Sequence, residues 1–398
     1  MSSYGTGQGT GQGTGQGTGQ GTGQGTGQGT GQGTGQGTGQ GGHAGGPASP
    51  MMSAVLALTQ EATVGYWDGQ ARFVPGALGA GDDDLDYLEA GSRALVLDAE
   101  LAPRFTVERL EAGARVQLDG HPLLTLTRPA PQDFVAQLRW LRDYADLRAD
   151  RIAEISLQAG DLLSFFGSIG LLNGSRRRRT LELMQTVLRL VQRVEQLVKH
   201  HCRAPRPIDL SDAVYPVIQT PDHSSYPSGH ATESFALATV LHLLMSAQPR
   251  AGGVRAQVAP GFRGLDFVAP AGGAAEAIGK EMTDQIAGFP GFPLPYRVAA
   301  RIAINRTVAG VHFPVDSFAG AYLGCLLAQA LHGLAQGRRL VPQHLDAPSM
   351  DAADDFTLRA LSQALDGVAG AGGEELAPPA CFARLWGLAQ AEWRGEGT

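Results

Sequence analysis

From Gln132 onward, apolar side chains recur every three or four residues: Phe134, Leu138, Leu141 and Tyr144, then Ile152, Ile155 and Leu162, then Leu181, Met184, Leu188 and Val191. That period lines one face of an α-helix and predicts a run of helices, one of them from Thr180 to about His201. Later helices are expected over roughly 231–247, 294–308, 315–336, 353–367 and 380–394. Residues 51–130 read differently. Short apolar runs, Ala94–Leu97 and Leu123–Thr127, are separated by Gly and Pro and accompanied by an acidic turn at Asp82–Asp86. Strand or mixed structure is expected there, as an ancillary layer. The interval 248–295, rich in Gly and Pro, is long for a connector and is read as part of a pocket wall.

The first fifty residues carry no such pattern. Gly-Thr-Gly-Gln runs nine times without interruption from Gly5 to Gln40, and small residues continue to Pro50. With no apolar side chains in the repeat and too few around it to bury a core, residues 1–50 are expected to be a disordered tail. The remainder divides into a mixed segment, 51–130, and a helical catalytic domain, 131–398. An all-α core therefore dominates the expected fold.

The 398-residue chain has 31 Lys and Arg against 38 Asp and Glu, a net charge of -7, which opposes a general nucleic-acid surface. The basic run Arg176–Arg179 reads as a solvated helix start or an interhelical loop. Cys202, Cys325 and Cys381 are far apart and in no metal-ligand spacing, so a reducing compartment fits. No basic start followed by an apolar stretch opens the chain. The most membrane-like segment, Phe318–Ala335, contains Gln329 and His332. A soluble cytoplasmic protein without a membrane span is the expectation, with pairing into a homodimer left open.

Polar chemistry gathers in three short stretches. The first is Lys199-His-His-Cys-Arg-Ala-Pro-Arg206-Pro207. Pro205 and Pro207 end a helix and hold Arg206 on extended backbone, so Lys199 and Arg206 can converge on one anion; cations at a helix C-terminus also complement its dipole. The second is Tyr226-Pro-Ser-Gly-His230, directly before an apolar helix. Ser228 and the Gly229 N–H can face an oxyanion at the helix start, with His230 beside them as an acid or base, although Ser is also an ordinary helix cap. The third runs from Asn305-Arg306 through His312 to Asp316. Pro314 is unfavourable inside a helix, so it is read as the first helical residue, with His312 in the preceding turn. Asp316 can then orient the imidazole or favour the helix start electrostatically.

Together the three stretches resemble the signature of the type 2 phosphatidic-acid phosphatase and vanadium haloperoxidase superfamily: Lys, six residues, Arg-Pro; Pro-Ser-Gly-His; Ser-Arg, five residues, His, three residues, Asp. Asn305 stands where the phosphatase pattern has Ser. The resemblance implies a mainly α helical bundle with a small strand-containing N-terminal layer. It implies that Lys199, Arg206, Ser228, Gly229 and Arg306 hold a tetrahedral oxyanion. His312 would be the phosphorylated nucleophile of a phosphatase, or the ring nitrogen bound to vanadium in a haloperoxidase, and His230 the acid-base partner. Three features lean toward a vanadate-dependent haloperoxidase using hydrogen peroxide and halide, bromide favoured. His223 lies seven residues before His230, as in bromide-using relatives; the gap from His230 to Asn305 holds 74 residues; and Asn305 replaces Ser. A soluble acid phosphatase acting on small phosphate esters with no cofactor is the alternative, and a non-catalytic anion binder the third.

Overall fold

The computed structural model describes residues 50–63, 69–71, 73–74, 76–246, 293–342, 344–365 and 374–395. The repeat tail up to Ser49 and nearly all of the 248–295 interval lie outside them. Two compact units are present, residues 1–99 and 100–398. In the first, α1 spans Pro50–Thr63 and α2 begins at Ala90, running to Leu101. The run Ala94–Leu97 therefore belongs to a helix and not to a strand. Leu95 and Val96 are exposed while Leu97 is buried, as a helical turn requires and an apolar count does not reveal.

The second unit opens with an antiparallel sheet of β1 (Phe105–Leu110), β2 (Gly113–Leu118) and β3 (His121–Thr127) in sequential order. Leu118 pairs with His121 across Asp119 and Gly120, both at positive φ, 50° and 77°. This is the Asp-Gly two-residue turn whose twist suits a hairpin. The sheet falls in the same unit as the helices and lies against α6, burying Val116, Leu118, Leu124 and Leu126.

The helices follow as α3 (Pro131–Ala145), α4 (Arg148–Gly160), α5 (Leu163–Gly170), α6 (Arg178–Cys202), the single turn α7 (Pro207–Leu210), α8 (Gly229–Ser246), α9 (Leu294–Val308) and α10 (Pro314–Ala335). Beyond the short pair β4 (Arg338–Arg339) and β5 (Glu374–Glu375), α11 (Leu358–Leu365) and α12 (Ala380–Arg394) complete the unit. The unit is mainly helical with a small antiparallel sheet. The helix expected over 353–367 is shorter because Ala352 and Asp354 turn their carbonyls to Gln137 Nε2, at 3.0 and 3.1 Å, instead of to a helical ladder.

Helices α8 and α10 are buried on nearly all sides and form the centre, with α6, α9 and α12 around them. Their backbones touch. A Cβ on Gly324 would lie 2.2 Å from the Thr232 carbonyl oxygen, and one on Gly320 would lie 2.4 Å from that of Ser228. Alanine at Gly324 is expected to force the pair apart and lower stability by about 1–3 kcal/mol, read as a shift of the urea midpoint. Among the described residues α10 is the one helix long and apolar enough to cross a membrane, with mean hydropathy 1.3 and 78% of that window buried by the protein itself. Packing inside the unit accounts for its composition as fully as a bilayer would.

The start of α6 is capped from the far end of the chain. Glu392 on α12 accepts the Arg179 and Thr180 amides at 2.7 and 2.9 Å and the Thr180 hydroxyl at 2.8 Å. The Arg177 guanidinium stacks 4.1 Å over Trp393. The basic run is consequently only partly solvated: Arg176 and Arg178 are exposed, and Arg177 is held.

Candidate active site

α6 ends at Cys202, where Arg203 takes up left-handed backbone at φ 48°, and Arg206 follows in extended conformation at φ -84°, ψ 158°. Pro207 starts α7, and Asp209 accepts the Arg206 N–H at 2.7 Å. These constraints aim the Arg206 guanidinium inward. It donates to the carbonyls of His223 and Val311, each at 2.9 Å, and its remaining N–H groups lie 3.1 Å from His223 Nδ1 and 3.1 Å from His312 Nε2. Lys199, 1% exposed, gives two of its three hydrogens to the carbonyls of Pro227 and Ser224, at 2.6 and 3.2 Å.

Ser228 and Gly229 lie at the start of α8, and the Ser228 N–H donates to the Asp316 carbonyl at 2.9 Å, so the Gly320 contact fixes this turn against α10. The third stretch is bent by Gly310, at φ +84°, where a Cβ would meet the Arg148 guanidinium at 2.8 Å. Arg148 clamps the turn by donating to the carbonyls of Val308, Tyr215 and Val214, each at 2.9 Å. α10 begins at Pro314, which leaves His312 in the turn.

His312 Nδ1 lies 3.1 Å from an oxygen of Asp316, which also accepts the Phe313 N–H at 2.9 Å. Asp316 therefore both orients the imidazole and caps the helix. Burial pushes its carboxyl up to about 7, opposed by the Phe313 N–H and by Arg206 and Lys199. Burial and the cations Arg206, Lys199 and Arg306 hold His312 well below the ordinary histidine range, so its ring is neutral. With Nδ1–H given to Asp316, the Nε2 lone pair faces the cations.

His230 Nε2 donates to the Gln158 carbonyl at 3.2 Å. Burial and then Arg306 lower its pKa to about 3, and burial with Lys199 and Arg206 takes His223 down to about 4. In the anion-free protein the imidazoles of His223, His230 and His312 are expected to stay neutral throughout pH 5–7, and adding phosphate to raise the His230 pKa because its charge offsets Arg306. Imidazole nitrogen shifts followed by NMR against pH check both; protonation of His230 near pH 6.5 without anion would contradict the geometry.

Arg306 is 1% exposed and keeps its charge although burial lowers its pKa to about 10. One terminal nitrogen donates to the Ile155 carbonyl and to Gln158 Oε1, both at 3.2 Å. Its Nε and other terminal nitrogen are buried with no partner among the described residues. Gln158 also accepts from Asn305 Nδ2 at 3.0 Å, and Asn305 Oδ1 accepts from Arg151 at 3.1 Å. Asn305 thus serves the polar link between α4 and α9. Gln158 was missed from the sequence because its helix reads as amphipathic and nothing local marks one buried residue whose side-chain oxygen serves Asn305 and Arg306 and whose carbonyl serves His230.

The three stretches consequently meet at one cluster of three cations and three histidines. A cleft of about 790 Å³ opens beside it, lined by Lys199, Arg206 and His223 together with Gln196, Arg203 and Asp222. Residues 183–340, which include the whole cluster, match the family model described as the PAP2 superfamily. Over this segment the chain is similar to the PAP2 superfamily. No curated protein matches the chain. Among solved structures, the chain is similar to the transmembrane PAP2-type phosphatidylglycerolphosphate phosphatase from Bacillus subtilis, at 19% identity and TM-score 0.33, over 52% of this chain and 88% of that one. Among the described residues the cluster leaves two Arg306 nitrogens without partners, together with one Lys199 hydrogen and the α8 N-terminus, a donor set whose chemistry suits phosphate or vanadate.

Proposed function

We propose that this PAP2-like domain hydrolyses phosphomonoesters through a phosphohistidine on His312. The observation carrying the reading is the relay Asp316–His312–Arg206, with Nδ1 held at 3.1 Å and Nε2 aimed at the cations. The Nε2 lone pair forms a bond to phosphorus as the ester P–O bond breaks, and His230, protonated on Nδ1 once the charge of the bound phosphoryl group offsets Arg306, gives that proton to the departing alcohol oxygen. Asp316 offsets the positive charge that develops on the His312 ring. Water then attacks phosphorus, His230 takes a proton from it, the P–N bond breaks, and phosphate leaves. Lys199, Arg206 and Arg306 offset the charge on the equatorial oxygens in both steps.

A second reading, a vanadate-dependent haloperoxidase, is favoured by His223 beside Arg206. The same Lys199, Arg206, Ser228, Gly229 and Arg306 would hold vanadate, with His312 Nε2 as its ligand. Bound vanadate would supply activation of hydrogen peroxide toward halide, bromide first. Both readings take the protein as soluble, since 78% of the apolar window of α10 is buried within the protein itself.

One pair of assays separates them. Purified protein is expected to hydrolyse a chromogenic phosphate ester and to be inhibited by vanadate. Dye bromination with vanadate, peroxide and bromide, in the absence of ester turnover, would replace the phosphatase reading with the haloperoxidase one. Silence in both would leave an anion binder.

A further inference from the structure

Two carboxyl groups beside the cluster have no part in that reaction. Glu195 lies on α6 one turn before Lys199 and is 2% exposed. Its Oε1 would be 2.6 Å from a Cβ on Gly229, so it rests against the backbone that opens α8, and its Oε2 has no partner among the described residues. Glu233 lies on α8 one turn after Gly229, with its side chain bonded to that of Gln192. Lys199 and Arg206 face Glu195, and Lys199 and Arg306 face Glu233. Asp316 on α10 faces Lys199 and Arg206, and His230 stands near Arg306.

Three buried cations repel one another unless a counter-charge is close. With no anion bound, Glu195 and Glu233 supply it from inside the protein. A dianion entering the same cluster takes over that role, and the carboxyls then face added negative charge. We propose that Glu195 and Glu233 are the built-in counter-charge of the empty oxyanion site and take up one proton from solvent when a dianion enters. The proton joins a carboxylate oxygen, and no other bond changes. Burial holds both groups above the ordinary carboxylate range, and Glu233 raises Glu195 further. The inference rests on the oxyanion-binding part of the reading above and needs neither reaction.

The sign follows from linkage. If binding takes up a proton, affinity is highest at low pH and falls up to tenfold per pH unit as the pair ionises. Sulfate is the probe, because it is a tetrahedral dianion throughout that ionisation and brings no titration of its own. Calorimetry of the intact chain with sulfate, in buffers of different ionisation heat, reads both affinity and proton uptake. The wild type is expected to show the falling affinity. Glu195→Gln and Glu233→Gln should each flatten the slope and bind sulfate about tenfold tighter than wild type at pH 8, an increase that a damaged fold would not produce. Each variant preserves side-chain volume, and either one alone carries the test. Proton uptake undiminished in the Gln variants, which would assign it to Asp316 or the histidines, overturns the proposal, as does a wild type without slope. Failure of the wild type to bind sulfate or phosphate at all would overturn the oxyanion reading itself, which a flat slope does not.

Discussion

His312→Ala lowers ester turnover by at least about 10³-fold, because it removes the atom that bonds to phosphorus and leaves only charge stabilisation and binding. Its folding is expected to change little. His312 lies in the turn between α9 and α10, and Asp316 can still cap α10 through the Phe313 N–H at 2.9 Å. Asp316→Asn is the milder companion. The amide keeps the packing but no longer offsets charge on the ring, and turnover falls about 10–100-fold. Rapid-quench labelling with a phosphate-labelled ester separates the two: label should bind His312 in the wild type, accumulate slowly in Asp316→Asn and be absent in His312→Ala. Labelling that survives in His312→Ala would place the nucleophile elsewhere.

Arg306→Met should move activity and stability in opposite directions. The wild-type guanidinium is almost wholly buried, with two nitrogens unpartnered among the described residues, a desolvation cost of roughly 1–3 kcal/mol when no anion is bound. Methionine has similar length and no polar atom, so in phosphate-free buffer the variant is expected to melt a few degrees higher. Turnover should drop about 10²–10³-fold, since a preorganised charge on the equatorial oxygens is gone. Phosphate should raise the melting temperature of the wild type by binding the folded state and leave that of the variant nearly unchanged. Scanning calorimetry with and without phosphate checks both halves. A variant that melts lower in both buffers would show that Arg306 serves the fold through Ile155 and Gln158 more than it serves an anion.

Both results depend on a trade that is common at active sites, in which charge is kept unpaired for a ligand at some cost to the fold. In this protein the cost is contained by rigid surroundings. Arg148 clamps the turn before His312, Gln158 steadies Arg306, and the glycine contact between α8 and α10 seats Ser228 against Asp316. None of these supports lies within the three signature stretches apart from the Ser228 and Asp316 backbone.

The sequence by itself determined most helices from Gln132 onward, because a stripe of apolar residues at helical period has one inexpensive way to leave water. It also determined local chain direction at the site. Pro205 and Pro207 end the helix that holds Lys199, and Pro314 opens α10, so Arg206 is extended and His312 sits in a turn whatever the rest of the fold does. Asp119-Gly120 is a local hairpin signal, lying between the strands that it joins.

What only the tertiary structure decided is pairing at long range. Glu392 reaches the start of α6 across more than two hundred residues. Gln158 joins α4 to Arg306, and Glu195 faces Gly229. Asp316 does both of the jobs that were left open, because Phe313 and His312 both approach one oxygen. A buried polar group is decided by its partner, and a partner brought by another helix leaves no local period in the sequence. Ala94–Leu97 shows the same limit on a smaller scale: four apolar letters fit a strand or a helix, and the surroundings choose.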